Sequence, residues 1–270
     1  MYEHRHRNVH TSGRAPALAA LVTSIAMVSC AAQPTGAKER TSMPLTNTLS
    51  TSTSSLQERS IPFHDPTVIP LAEAVAAGDI ARIRSLAASA DLSARGKDGI
   101  TLLEWAIWNE RPDALAALLD AGADASQLGM DQETVAHMAA MARDPKYLEV
   151  LIAHGAPIDI VSPRAGWTPI FRAVQSRRDP QVELLLKAGA DPRRSDSMGN
   201  TLLHVAASVN DAARVLQLLA AGADAQATNA RGETFQAALF SGSDARLNAQ
   251  AKAERQQVRD WLAARGIAHE

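Results

Sequence analysis

The chain has 270 residues, 46% hydrophobic, 21% charged and only 4% aromatic, which is length enough for one domain or two small ones. Its net charge is −2; three arginines and one glutamate fall within residues 1–29, so the remainder carries 24 basic and 28 acidic groups, a net of −4, and a nucleic-acid-binding surface is excluded. The apolar content is mainly alanine and leucine rather than β-branched or aromatic residues, which favours an all-α core over a sheet.

In chain order, a basic stretch with Arg5, Arg7 and Arg14 precedes the apolar run Ala15–Ser29. Residues 1–29 therefore read as an export signal, too short in its apolar part to span a bilayer. The run ends at Cys30, the sole cysteine of the chain, so no internal disulfide can form. The sequence Met27-Val28-Ser29-Cys30 resembles the lipobox of bacterial lipoproteins, with methionine where leucine is usual. That resemblance implies acylation of Cys30 as the mature N-terminus. With alanine rather than aspartate at position 31, it also implies anchoring to the outer membrane on the periplasmic side. An ordinary secretory signal cut near Ala32 is the alternative. Residues 41–60 are rich in serine and threonine and poor in anything that could build a core. Residues 30–65 are accordingly expected to be a tether, about 30 Å in root-mean-square reach for roughly 35 residues of coil.

A fixed period follows. Threonines stand at 101, 134, 168, 201 and 234, and glycines at 122, 155, 189 and 222, each set stepping by 33 or 34 residues. Around the threonines lie GITLLEWA, QETVAHMA, GWTPIFRA, GNTLLHVA and GETFQAAL; around the glycines lie LLDAGAD, LIAHGAP, LLKAGAD and LLAAGAD. Each threonine can cap a short helix, a polar break turns the chain into a second, leucine-rich helix, and the glycine ends it. One such unit cannot bury its own leucine face, so stability comes from stacking. Thr-to-Gly is 21 residues in every unit, and Gly-to-Thr is 12 except for 13 between Gly155 and Thr168. The extra residue is thus in the connecting finger.

These motifs closely resemble the ankyrin repeat, with its Gly-x-Thr-Pro-Leu-His opening and Leu-Leu-x-x-Gly-Ala-Asp close. The resemblance implies an all-α solenoid of helix-turn-helix units with short finger loops and atypical capping units at both ends. The expected domain runs over 66–270, with units at 66–97, 98–130, 131–164, 165–197, 198–230 and 231–270. Residues 70–99 form the N-terminal cap, and the polar helix near 249–266 belongs to the C-terminal one. Only Thr168-Pro169 keeps the Thr-Pro pair. His137 and His204 keep the histidine, which the family uses for hydrogen bonds between units, whereas Glu104 and Phe171 replace it. These departures are expected to weaken the local structure without changing the fold.

No catalytic constellation emerges: there is no His-Glu-x-x-His, no second cysteine, no phosphate loop and no Gly-x-Ser-x-Gly elbow, so neither an enzyme nor a metal or cofactor site is expected. Aligning the units instead places residues 105, 138, 172 and 205 in one column and 108, 141, 175 and 208 in a second. In the ankyrin family both columns lie on the inner helices toward the concave side, the second more openly. Trp105, Trp108, Met138 and Met141 then form an apolar patch that shades to Arg172 and Gln175. The irregular finger adds Ile160, Val161, Arg164 and Trp167, giving one continuous protein-binding surface. Trp261, beside Val258 and Leu262, is expected in the core. The preferred reading is a monomeric, lipid-anchored periplasmic scaffold that binds another protein. Resemblance to exported bacterial ankyrin proteins narrows it to an immunity protein blocking a periplasmic toxin such as a lipase or cell-wall hydrolase. A partner that assists or protects an exported enzyme such as a catalase is the alternative, and an enzyme or metal or ligand carrier is the alternative of another class.

Overall fold

The computed structural model describes residues 60–268, and the expected export signal, Cys30 and nearly all of the expected tether lie outside the described residues. Twelve α-helices are found among the described residues: α1 (Ile69–Ala77), α2 (Ile80–Ala87), α3 (Leu102–Trp108), α4 (Pro112–Asp120), α5 (Val135–Met141), α6 (Lys146–Ala153), α7 (Pro169–Gln175), α8 (Asp179–Lys187), α9 (Leu202–Ser208), α10 (Ala212–Ala220), α11 (Phe235–Leu239) and α12 (Ala249–Ala263). The first ten pair as consecutive hairpins. The odd-numbered helices α1 to α11 form one continuous row, each touching the next; α2, α4, α6 and α8 form a second, and α12 packs on α10. Between the rows, Leu71, Leu102, Leu115, Leu148, Ile170, Leu185 and Leu202 are fully buried. Ala106, Ala139, Ala173 and Ala206, one in each inner helix, are buried as well and let neighbouring helices approach closely.

Glycine serves two different needs here. Gly122 follows α4 with φ +93°, its N–H bonded to the Leu119 carbonyl, and an added Cβ would meet nothing; the left-handed dihedral alone selects it. Gly155, Gly189 and Gly222 repeat that geometry. Gly129 is the opposite case. Its φ is negative, but a Cβ there would overlap the Glu104 carboxylate.

The fingers carry only isolated bridges, Arg95 with Thr101, Leu128 with Thr134 and Ser195 with Thr201. Their turns close by bonds from Gly96, Gly129, Asp196 and Asn229 N–H to the carbonyl four residues on. The irregular finger closes from Ser162 N–H to the Trp167 carbonyl, five residues on. The additional residue of the long period is therefore in the 162–167 turn. At the other end of the stack, the packed chain begins before Pro66: Phe63 is buried, Ile61 packs on the core and the Pro62 carbonyl accepts Lys97 N–H at 2.8 Å. This arm takes the place of a preceding finger. Trp261 is half-buried rather than sealed in the core, with the Arg265 guanidinium over its ring at 3.8 Å.

Candidate protein-interaction surface

The inner helices are held in register by their first residues. At α5, Thr134 N–H donates to His137 Nδ1 at 3.2 Å and the Thr134 hydroxyl lies 2.9 Å from the same nitrogen; His137 Nε2 is 3.0 Å from the Trp167 carbonyl in the next unit. The tautomer with its proton on Nε2 satisfies all three contacts. Burial is the main cause that holds His137 below the usual histidine range, against the Trp167 carbonyl and the Glu133 carboxylate, which raise it. His204 repeats the arrangement with Thr201 and the Glu233 carbonyl.

Glu104 does not weaken its unit as the sequence suggested. A carboxylate only accepts, so instead of donating to a finger carbonyl it accepts from Thr101 N–H at 2.8 Å and from Met130 N–H at 3.1 Å, completing a capping box and tying two units together. Burial pushes its pKa up, opposed by those hydrogen bonds. Gly129 supplies the room. Phe171, by contrast, leaves a defect: the buried Thr168 hydroxyl has no partner.

This scaffold places the residues of the two columns unequally. Trp105 is corrected: only 3% exposed, it is a core residue whose indole Nε1–H donates to the Ala72 carbonyl at 2.9 Å. The column faces inward at that point because α1 of the capping unit lies against it. Trp108, one turn on, is 48% exposed. It stands between two hollows. On one side an open groove of about 750 Å³ is lined by Ile107, Trp108, Met138, Met141 and Tyr147, with Glu110, Arg143, Asp144 and Lys146 also lining it. On the finger side a hollow of about 250 Å³ is lined by Pro62, Ile100, Trp105, Trp108 and Met130, with Lys97 and Asp98. Across both hollows these charged residues number three of each sign.

Farther along, Trp167 is half-buried. Its indole N–H donates to Asp196 Oδ2 at 3.1 Å, its ring lies 6.0 Å from that of Phe171 and the Arg172 guanidinium sits 4.7 Å over it. Arg172 grips Glu133 with contacts of 2.7 to 3.0 Å and donates to Gln175 Oε1 at 3.0 Å. The donors of Arg172 that make these bonds are engaged within the chain, so what this half offers is a preorganised polar platform with exposed Gln175. Ile160 is half-buried and Val161 is 43% exposed. Arg164 is exposed and lies 3.4 Å from Asp131 of the preceding finger. The sequence reading missed Met130 beside Trp108 and Met198, 54% exposed at a fingertip; neither belongs to the inner-helix columns that drew attention. Among the described residues no group of three or more histidine, cysteine or acidic residues could hold a metal ion, and no helix is long and apolar enough to cross a membrane.

The stacked helix hairpins, inner alanines and finger turns define an ankyrin-repeat solenoid, a fold typically used as a protein-interaction scaffold. Residues 125–196 match the family model for ankyrin repeats in three copies and residues 198–230 that of a single ankyrin repeat, so the protein carries ankyrin repeats. Protein PhlB of Serratia liquefaciens is 43% identical over 149 residues, 55% of this chain and 66% of PhlB. SH3 and multiple ankyrin repeat domains protein 2 of Homo sapiens is 32% identical over 188 residues, 67% of this chain and 10% of that protein. The chain thus spans just under two thirds of the one relative and a tenth of the other. Among solved structures, the immunity protein in a complex with a predatory endopeptidase from Bdellovibrio bacteriovorus aligns with a TM-score of 0.57 and 26% identity, covering 68% of this chain and 97% of that one. EF0377, an ankyrin repeat protein, aligns with a TM-score of 0.61 at 20% identity, covering 72% of this chain and 97% of that one; at that identity it speaks for the fold alone.

Proposed function

We propose that this protein is an immunity-type scaffold that docks on an exported hydrolase and blocks it. One observation carries the reading: Trp108 projects, half exposed, between two apolar hollows on an otherwise well-packed inner face. A tryptophan can bury about 150–250 Å², a gross gain of roughly 4–6 kcal/mol at 25 cal/mol/Å², and aromatic residues in such settings are the usual anchors of interfaces. The likeness to an immunity protein bound to an endopeptidase supports the class of partner. The polar platform of Arg172, Trp167 and Gln175 would then form the rim of the same contact.

In this reading the chain is exported, acylated at Cys30 and held at the periplasmic side of the outer membrane, with the tether letting the domain meet its target near the membrane. The absence of a second cysteine and the residues around Cys30 support that address. The test has two arms. Purified full chain is titrated into candidate exported hydrolases, with hydrolase activity followed; inhibition of one of them at near-equimolar ratio is expected, and full activity of all in the presence of excess chain would overturn the function. Fractionation of cells expressing Cys30→Ala is expected to release the protein from membranes; retention in the membrane fraction would overturn the anchor.

A further inference from the structure

Four methionines lie among the described residues, and three of them surround Trp108: Met138 and Met141 in the open groove and Met130 in the finger-side hollow. All three are half-buried, so their thioethers line the hollows without being sealed in the core. The fourth, Met198, lies on a fingertip outside both hollows. Soft, unbranched side chains adapt to the shape of whatever enters, which leucine or isoleucine in the same places would do less well. They are also the side chains that a mild oxidant converts from apolar to polar.

We propose that Met130, Met138 and Met141 make this docking face an oxidation-sensitive one, with peroxide as the oxidant. In each case the thioether sulfur attacks one peroxide oxygen, the O–O bond breaks, an S–O bond forms and water leaves after proton transfer. The sulfur is oxidised by two electrons and the peroxide reduced by two. The new sulfoxide oxygen is a strong acceptor set among the apolar faces of Trp108, Ile107 and Ile100, so an apolar side chain entering the groove must strip it of water or stay out. The inference rests on reading this face as a docking surface, but it can be tested without the partner.

The probe is 1-anilinonaphthalene-8-sulfonate, titrated into the full chain before and after graded treatment with hydrogen peroxide, with oxygen uptake mapped by peptide mass spectrometry and helicity checked by circular dichroism. Dye affinity is expected to fall about tenfold per sulfoxide formed beside Trp108, while oxidation of Met198 alone leaves it unchanged. The variant Met130→Leu/Met138→Leu/Met141→Leu is expected to bind dye somewhat more weakly than the parent, since leucine conserves apolar volume but adapts less, and to keep its own affinity through peroxide. Trp108→Ala lowers dye affinity before any oxidation. Full oxidation of the three methionines with unchanged dye affinity, or equal loss in the leucine variant, would overturn the proposal. Peroxide sensitivity with no inhibition of any hydrolase would overturn the function above and leave this inference standing.

Discussion

Thr134 and Thr168 occupy equivalent places at the start of α5 and α7, and replacing each by valine is expected to change stability in opposite directions. Thr134 is buried and its hydroxyl meets His137 Nδ1 at 2.9 Å. Valine there loses one internal hydrogen bond and part of a helix cap, a destabilisation of about 1 kcal/mol. Thr168 is equally buried, but Phe171 stands where a histidine would receive its hydroxyl, and that oxygen has no partner. Valine keeps the branched shape and removes a polar atom whose desolvation is uncompensated, a recovery of about 1–3 kcal/mol. The two variants should therefore differ by roughly 2–4 kcal/mol, or at least about 4 °C in melting temperature for a domain of this size, taking 2–4 °C per kcal/mol. Urea unfolding of the full chain reads this directly: the midpoint moves down for Thr134→Val and up for Thr168→Val with unchanged slope. Equal destabilisation of both would show that the Thr168 hydroxyl has a partner, such as a bound water, and would refute the comparison.

Other consequences are open to similar tests. Trp105→Ala is expected to cost about 3–5 kcal/mol, as for other buried tryptophans, whereas Trp108→Ala stays within about 1 kcal/mol of the parent; thermal melting separates them, and equal losses would contradict the assignment of one to the core and the other to the surface. Gly129→Ala should destabilise strongly, since its Cβ would overlap the Glu104 carboxylate. Combining it with Glu104→Ala should recover part of that loss, a coupling that a double-mutant cycle in urea would measure. The pKa of His137 is lowered in the folded state, so folding favours its neutral form. Its contribution is present above the ordinary histidine value near 6.5 and is lost as pH falls through the lower folded value. Glu104, with its pKa raised, works the other way: its contribution is present below the ordinary carboxylate value and lost as pH rises through the folded one. His137→Gln should therefore flatten the loss of stability on the acid side of neutrality, and an unchanged slope between pH 7.5 and about 5 would count against it.

The repeat and its one irregular finger were legible because both are properties of spacing, and the period of alanines and leucines set which face of each helix is buried. Trp108 could also be found, as the second member of a column whose outward positions alternate with Ala106 and its equivalents. Trp105 could not be separated from it. Both sit on one helix face, and what buries Trp105 is the Ala72 carbonyl and helix α1 of a capping unit whose sequence departs from the pattern. The roles of Glu104 and Gly129 were hidden for a related reason: each departs from the repeat alone, and only their contact across two units shows that one accommodates the other. Trp167 was placed correctly in the irregular finger, but its commitment to Asp196 of the following finger and to the Arg172 guanidinium depends on how the fingers stack. Local pattern carries no record of that.

The account turns on Trp108 being an anchor for another protein. Isothermal titration of the full chain against an exported hydrolase of the proposed class, parent beside Trp108→Ala, addresses that residue directly. The account expects the variant to melt within a few degrees of the parent and to bind at least about thirtyfold more weakly, equivalent to an interface anchor of roughly 2 kcal/mol. A variant that binds as tightly as the parent would contradict it.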